Sequence, residues 1–186
     1  MIELILKLLA TLGIMVPIFF KWPGYFTFKA LDPRGWKLDK QKAKKIAIVV
    51  AIGLAISLVL FPKLDQLSFQ AGPVIDESNP QVVLYRISPA LLLAIIALLP
   101  ILEELIFRGC LLKLFVDKIG PIAALLGSAA LFGLFHVLNP GTYALAFISP
   151  FMAGIVFGWC YLAQGLPSAV LTHMGYNIVI FLWCYI

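Results

Sequence analysis

Residues 88–116 read SPALLLAIIALLPILEELIFRGCLLKLFV, a run of 29 residues whose only charges are Glu103, Glu104, Arg108 and Lys113. Apolar and polar positions do not alternate, as they would in a membrane strand, so the run is a helix. At 1.5 Å per residue it would be about 43 Å long. The hydrocarbon core of a bilayer is about 30 Å thick, so the run exceeds a plain anchor. A carboxylate at membrane depth costs several kcal/mol on insertion scales unless it is paired or faces a wet cavity, so its default reading is functional. This stretch therefore reads as a membrane helix that carries chemistry.

Five further apolar runs surround it, at about Ile2–Phe20, Ile46–Phe61, Ile122–Leu138, Tyr143–Ala163 and Pro167–Ile186. With 62% apolar or aromatic residues and only 12% charged in 186 residues, a water-soluble globule, nearer half apolar and a quarter charged, is excluded. The expected fold is all-α, a polytopic membrane helix bundle of about six transmembrane helices. Breaks are expected at Trp22-Pro23-Gly24, Phe61-Pro62-Lys63, Asn79-Pro80, Gly120-Pro121, Asn139-Pro140-Gly141 and Gln164-Gly165-Leu166-Pro167, because glycine and proline punctuate helices. Residues 1–87 are expected to form N-terminal membrane helices with a basic loop, and residues 88–186 a helical core bearing the site. Both belong to one integral membrane domain.

The net charge of +5 is concentrated: Lys21, Lys29, Arg34, Lys37, Lys40, Lys42, Lys44 and Lys45 supply eight of the 14 basic residues. Short basic loops stay in the cytoplasm, so residues 21–45 mark that side and suggest contact with anionic membrane lipids. Arg108, Lys113 and Lys118 place the far end of the central run on the same side. Both termini are then expected outside, and the charged layer toward the cytoplasm. No basic and aromatic residues recur periodically to suit nucleic acid. Ile18-Phe19-Phe20-Lys21-Trp22 lacks the small residues of a cleavage site, so the first apolar run reads as a retained helix. Cys110, Cys160 and Cys184 are widely spaced in apolar runs and read as small buried hydrophobes.

Glu104 and Arg108 are one helical turn apart in the favourable order for an ion pair and read as a structural pair. Glu103 points about 100° away and needs partners from other helices. The chain offers two histidines, His136 and His173. With Gly120 as a hairpin tip, Glu103 lies 17 residues before it and His136 16 after it, each about 24–26 Å up antiparallel helices. His173 stands only about 12 Å beyond Gly165. It joins them if the 113–120 hairpin projects about 12 Å further into the cytoplasm than the 164–166 turn. Asn177 follows His173 at i+4 on the same face.

Two chemistries use this set. Glu103 and His136 deprotonate a water that attacks a carbonyl, while His173 and Asn177 donate hydrogen bonds to the developing oxyanion. Alternatively Glu103, His136 and His173 form a one-carboxylate, two-histidine metal site, in a metalloprotease or an ion carrier. A non-enzymatic immunity or scaffold protein would use the same layer only for packing. The sequence contains no H-E-x-x-H, G-x-G-D or G-x-S-x-G, and Ser128 reads as packing.

The motifs E-E-x-x-x-R (Glu103, Glu104, Arg108), F-x-x-x-H (Phe132, His136) and H-x-x-x-N (His173, Asn177), in that order on successive apolar runs, resemble the CPBP family. These are the CAAX prenyl proteases and bacteriocin-processing enzymes also called Abi proteins. The resemblance covers about Ser88 to the C-terminus; residues 1–87 share only their hydrophobic helices. It implies an intramembrane glutamic endopeptidase in which Glu103 and His136 activate water and His173 and Asn177 form the oxyanion hole. Glu104, Arg108 and Phe132 would be supporting residues. No cofactor is implied, and the substrate would be a prenylated tail or leader peptide tethered to the membrane. The chain has about six spans where the eukaryotic prenyl-protein proteases have eight.

Overall fold

A chain this apolar must satisfy its backbone N–H and C=O groups locally, which helices do. The computed structural model describes residues 40–70, 89–137 and 147–185, with the isolated positions Gly13, Val16, Phe20 and Lys21. The described residues are helical with no strand among them. The elements are α1 (Lys40–Gln70), α2 (Pro89–Glu104), a π-helical segment (Leu105–Leu112), α3 (Lys113–Ile119), α4 (Pro121–Val137), α5 (Ile148–Gln164) and α6 (Leu166–Tyr185). The expected first helix, Ile2–Phe20, lies outside the described residues apart from isolated positions.

Two expected boundaries are corrected. The second apolar run was expected to start at Ile46 and break at Phe61-Pro62-Lys63, whereas α1 begins at Lys40 and runs through Pro62. Lysine is a good helix former, so the basic residues Lys40, Lys42, Lys44 and Lys45 join the helix. Pro62 removes one backbone donor, but Phe61 beside it is 1% exposed in the aromatic core, and packing of that kind holds a helix across a proline. The run 88–116 is a continuous rod, α2 to α3, whose middle widens into the π segment.

Membrane character shows in the reversal of faces. On α1, Ile48, Ile52 and Ile56 recur every turn and are exposed, while Ser57 and Phe61 point into the bundle. Among the described residues one helix, Lys40–Leu64, is by length and composition able to cross a membrane, with 25 residues and a mean hydropathy of 2.4. The apolar helices α4 and α5 are shorter, 17 residues each.

Two one-residue turns set the depth of everything else. Gly120 (φ 82°) joins α3 to α4, and Gly165 (φ 80°) joins α5 to α6. Both φ values are in the left-handed region, where glycine alone meets no steric cost, and a proline follows each within two residues. The core between the helices is aromatic. Phe107 meets Phe132 edge to face at 5.1 Å, and Phe61 meets Tyr176 at 5.0 Å and Phe157 at 6.1 Å. Such pairs contribute about 0.5–1.5 kcal/mol each beyond area burial.

α5 approaches α4 along Gly154 and Gly158. A Cβ on Gly154 would stand 2.8 Å from the Ala129 Cα, and one on Gly158 would strike the Leu125 side chain. This is the small-xxx-small contact by which apolar helices pack when lipid gives them no hydrophobic drive to associate.

Candidate active site

The charged layer is assembled where the end of α2, the C-terminal turn of α4 and the middle of α6 converge, with α5 behind them. Glu104 and Arg108 are fully buried, and the Arg108 Nη1 donates to Glu104 Oε1 at 2.9 Å. The expected ion pair is there, but it extends further than a pair. Nη2 of Arg108 donates to the backbone carbonyl of Gly154 at 3.1 Å. The guanidinium lies among three rings, 4.4 Å from the centroid of Phe132, 5.7 Å from Phe157 and 6.0 Å from Phe107. These contacts compensate a buried cation through charge, hydrogen bond and ring quadrupole together.

His173 joins the same carboxylate, its Nδ1 standing 2.9 Å from Glu104 Oε1. A carboxylate only accepts, so Nδ1 carries the proton. The face of the ring stacks on Phe157 at 4.4 Å and 20°, and its edge meets Phe132 at 5.9 Å. On the other side, His173 Nε2 lies 3.8 Å from Glu103 Oε2.

His136 approaches the same oxygen from α4, with Nε2 at 4.0 Å from Glu103 Oε2. Its Nδ1 is 2.8 Å from the Phe132 carbonyl. A carbonyl accepts only, so that nitrogen is the donor, and Nε2 is the ring nitrogen that faces Glu103. The ring rests against Phe132 at 4.4 Å. Separations near 4 Å are too long for direct hydrogen bonds and suit one small polar molecule touching both sides. Glu103 and His136 keep 16% and 21% of their side-chain surface open, whereas Glu104 keeps none.

The structure thus brings together Glu103, His136 and His173, as the depth arithmetic required, and adds Glu104 and Arg108 behind them. Asn177 lies one turn beyond His173 on α6 and is half-buried. As for the metal alternative, among the described residues no group of three or more His, Cys, Asp or Glu side chains is placed to hold a metal ion. Ser128, expected to pack, is buried and donates to the Phe107 carbonyl at 2.9 Å inside the π segment. Sequence reasoning missed Gly154 and Phe157. Gly154-Ile155-Val156-Phe157-Gly158 is a G-x-x-x-G in an apolar run, a visible mark of close helix packing.

The described residues of this apolar chain are helical and gather carboxylates and imidazoles inside the helix bundle, the build of a membrane helix bundle with a buried polar site. The family described as Rce1-like, type II CAAX prenyl endopeptidase, matches residues 85–179, just over half of the chain, and the chain belongs to that family. It is a family of integral membrane proteases of the CAAX type, so the chain is a hydrolase of that class. A comparison with curated proteins and one with solved structures each return no match.

Proposed function

We propose that the chain is a glutamic intramembrane endopeptidase that hydrolyses a peptide bond in a membrane-tethered substrate, either a prenylated CAAX-type tail or a leader peptide. The observation that carries this reading is the facing of Glu103 Oε2 toward both His136 Nε2 and His173 Nε2, at 4.0 and 3.8 Å. A water held by Glu103 and the Nε2 lone pair of His136 loses a proton to them as its oxygen attacks the scissile carbonyl. His173 and Asn177 donate hydrogen bonds to the oxyanion so formed. Collapse of the tetrahedral intermediate breaks the C–N bond, and the stored proton passes to the leaving amine.

This reading takes the bundle as six spans, with residues 88–186 as the catalytic core and residues 1–87 as N-terminal membrane helices. The basic 21–45 segment sets the site toward the cytoplasm with both termini outside. The partially open faces of Glu103 and His136 give the substrate its access. The test is a cleavage assay on a farnesylated reporter and on an unprenylated leader peptide, with Glu103→Gln as the control. Cleavage of one substrate that vanishes in the variant is the expected result. Undiminished cleavage by the variant sinks the assignment.

A further inference from the structure

The Arg108–Glu104 pair has a bland explanation, two buried charges that neutralise each other. Three observations go beyond it. Arg108 Nη1 and His173 Nδ1 converge on the same oxygen, Glu104 Oε1, each at 2.9 Å. Arg108 is itself fixed from the far side by the Gly154 carbonyl at 3.1 Å, so the carboxylate is clamped against movement. The other oxygen, Glu104 Oε2, is buried and bonds to no described group, so the restraint on the carboxylate passes through Oε1.

The rings around His173 leave one degree of freedom. Stacking on Phe157 at 4.4 Å fixes the plane of the imidazole but is indifferent to a half-turn of the ring within that plane's axis. Such a half-turn exchanges nitrogen and carbon edges and would carry Nε2 away from Glu103. The bond from Nδ1–H to Glu104 at 2.9 Å is the direct hydrogen bond that tells the two orientations apart, backed by the longer 3.8 Å approach of Nε2 to Glu103. The carboxylate also complements a doubly protonated ring, the form in which Nε2–H donates, as the aspartate does behind the histidine of serine-protease triads.

We propose that Glu104, clamped by Arg108, is a positioning residue that fixes His173 with Nε2 facing Glu103. This rests on the proposed protease reading for its kinetic consequence but not for its structural one. The chain has only two histidines, so imidazole nitrogen-15 spectra of the full-length protein in nanodiscs give two sets of signals, assigned with a His136→Ala sample. The wild type should show His173 with Nδ1 protonated and hydrogen-bonded. Glu104→Ala should lose that signature and lower kcat by about 100-fold, the upper range for groups that orient a ligating or catalytic side chain from behind, with KM unchanged.

Glu104→Gln keeps an acceptor at Oε1 and should retain the Nδ1–H signal and regain part of kcat. An unprotonated Nδ1 in the wild type, or Glu104→Ala with full kcat, overturns the proposal. If Glu104→Ala does not fold, the wild-type and Glu104→Gln spectra decide alone. If Glu103→Gln still cleaves while the Nδ1–H signature is present, the proposed role of Glu103 fails and the positioning of His173 stands.

Discussion

Each half of the polar layer pairs a glutamate with an imidazole, and the halves differ in how those atoms are used. In the inner half, Arg108, Glu104 and the Nδ1 side of His173 are buried and joined by direct bonds of 2.9 Å. In the outer half, Glu103 and His136 remain partly open and stand 4.0 Å apart. Two consecutive glutamates, about 100° apart around one helix, thus stand in different settings: Glu104 is fully buried against Arg108 and His173, and Glu103 is partly open with imidazole nitrogens at 3.8 and 4.0 Å. Directly bonded, buried groups behind a more open pair is the arrangement in which a rigid backing supports the side chains in front of it.

The largest effect should come from the outer half. Glu103→Gln keeps volume and hydrogen-bonding capacity but removes the carboxylate proposed as the base. We expect kcat to fall by about 10⁴-fold, the scale seen when one member of a hydrolytic set is deleted, while the melting temperature in detergent stays near that of the wild type. The assay pairs cleavage rate with thermal unfolding. A large drop in folded protein would erase the contrast, because it would make Glu103 a structural residue too.

The inner half should respond the other way. Arg108→Ala removes the cation paired with the buried Glu104, leaving it the His173 bond, and empties the space among Phe107, Phe132 and Phe157. Breaking a buried pair by removing one partner costs about 3–5 kcal/mol, read as a lowered midpoint in thermal or denaturant unfolding. An Arg108→Ala protein that melts like the wild type would show that the inner half is not what the fold depends on.

How much of this layer could be read from the chain follows from what sequence spacing encodes. Spacing along a helix shows i, i+4 neighbours, so Glu104 with Arg108 was legible. Residue counts from a glycine turn show depth, so Glu103 opposite His136 was legible too, because Gly120 is in fact a one-residue turn. The contact of His173 with Glu104 spans 69 positions and depends on how far α6 slides past α2, which no spacing records. The π segment lay hidden because an unbroken apolar run marks no period. The continuation of α1 through Pro62 was hidden as well, since the local chemistry of proline argued for a break and tertiary packing of Phe61 overrode it. Gly154 and Phe157 were marked by a G-x-x-x-G, but the motif specifies close packing without naming the partner helix.

The seam that delivers the Gly154 carbonyl to Arg108 gives a sharper, smaller test of the inner half. In Gly154→Ala the new methyl would meet the Cα, Cβ and carbonyl oxygen of Ala129 at 2.8, 3.0 and 3.2 Å, and backbone cannot step aside as a flexible side chain can. Overpacking of that kind costs about 1–3 kcal/mol, and parting α5 from α4 would also lengthen the Arg108 bond. Gly127→Ala is the control, since its methyl would sit an ordinary 3.6 Å from the Phe115 ring and gains up to about 1 kcal/mol of helix propensity. Unfolding midpoints should move in opposite directions. Equal shifts would mean that the seam is looser than its contacts indicate.

The smallest effect distinguishes a used hydroxyl from an idle one. Ser128 and Ser57 are both buried, at 1% and 0% exposure. Ser128 donates to the Phe107 carbonyl at 2.9 Å, inside the segment that carries Arg108. The Ser57 hydroxyl has no partner among the described residues. Ser128→Ala removes a donor from a buried carbonyl and should cost about 1 kcal/mol, the net worth of an ordinary hydrogen bond. Ser57→Ala deletes a polar group that returns nothing for its desolvation, so stability should hold or rise slightly. If the two variants lose stability equally, the Ser128 bond does not support the π segment. If Ser128→Ala alone loses it, a change on α4 will have been felt through the backbone that sets Arg108, Glu104 and, behind them, His173.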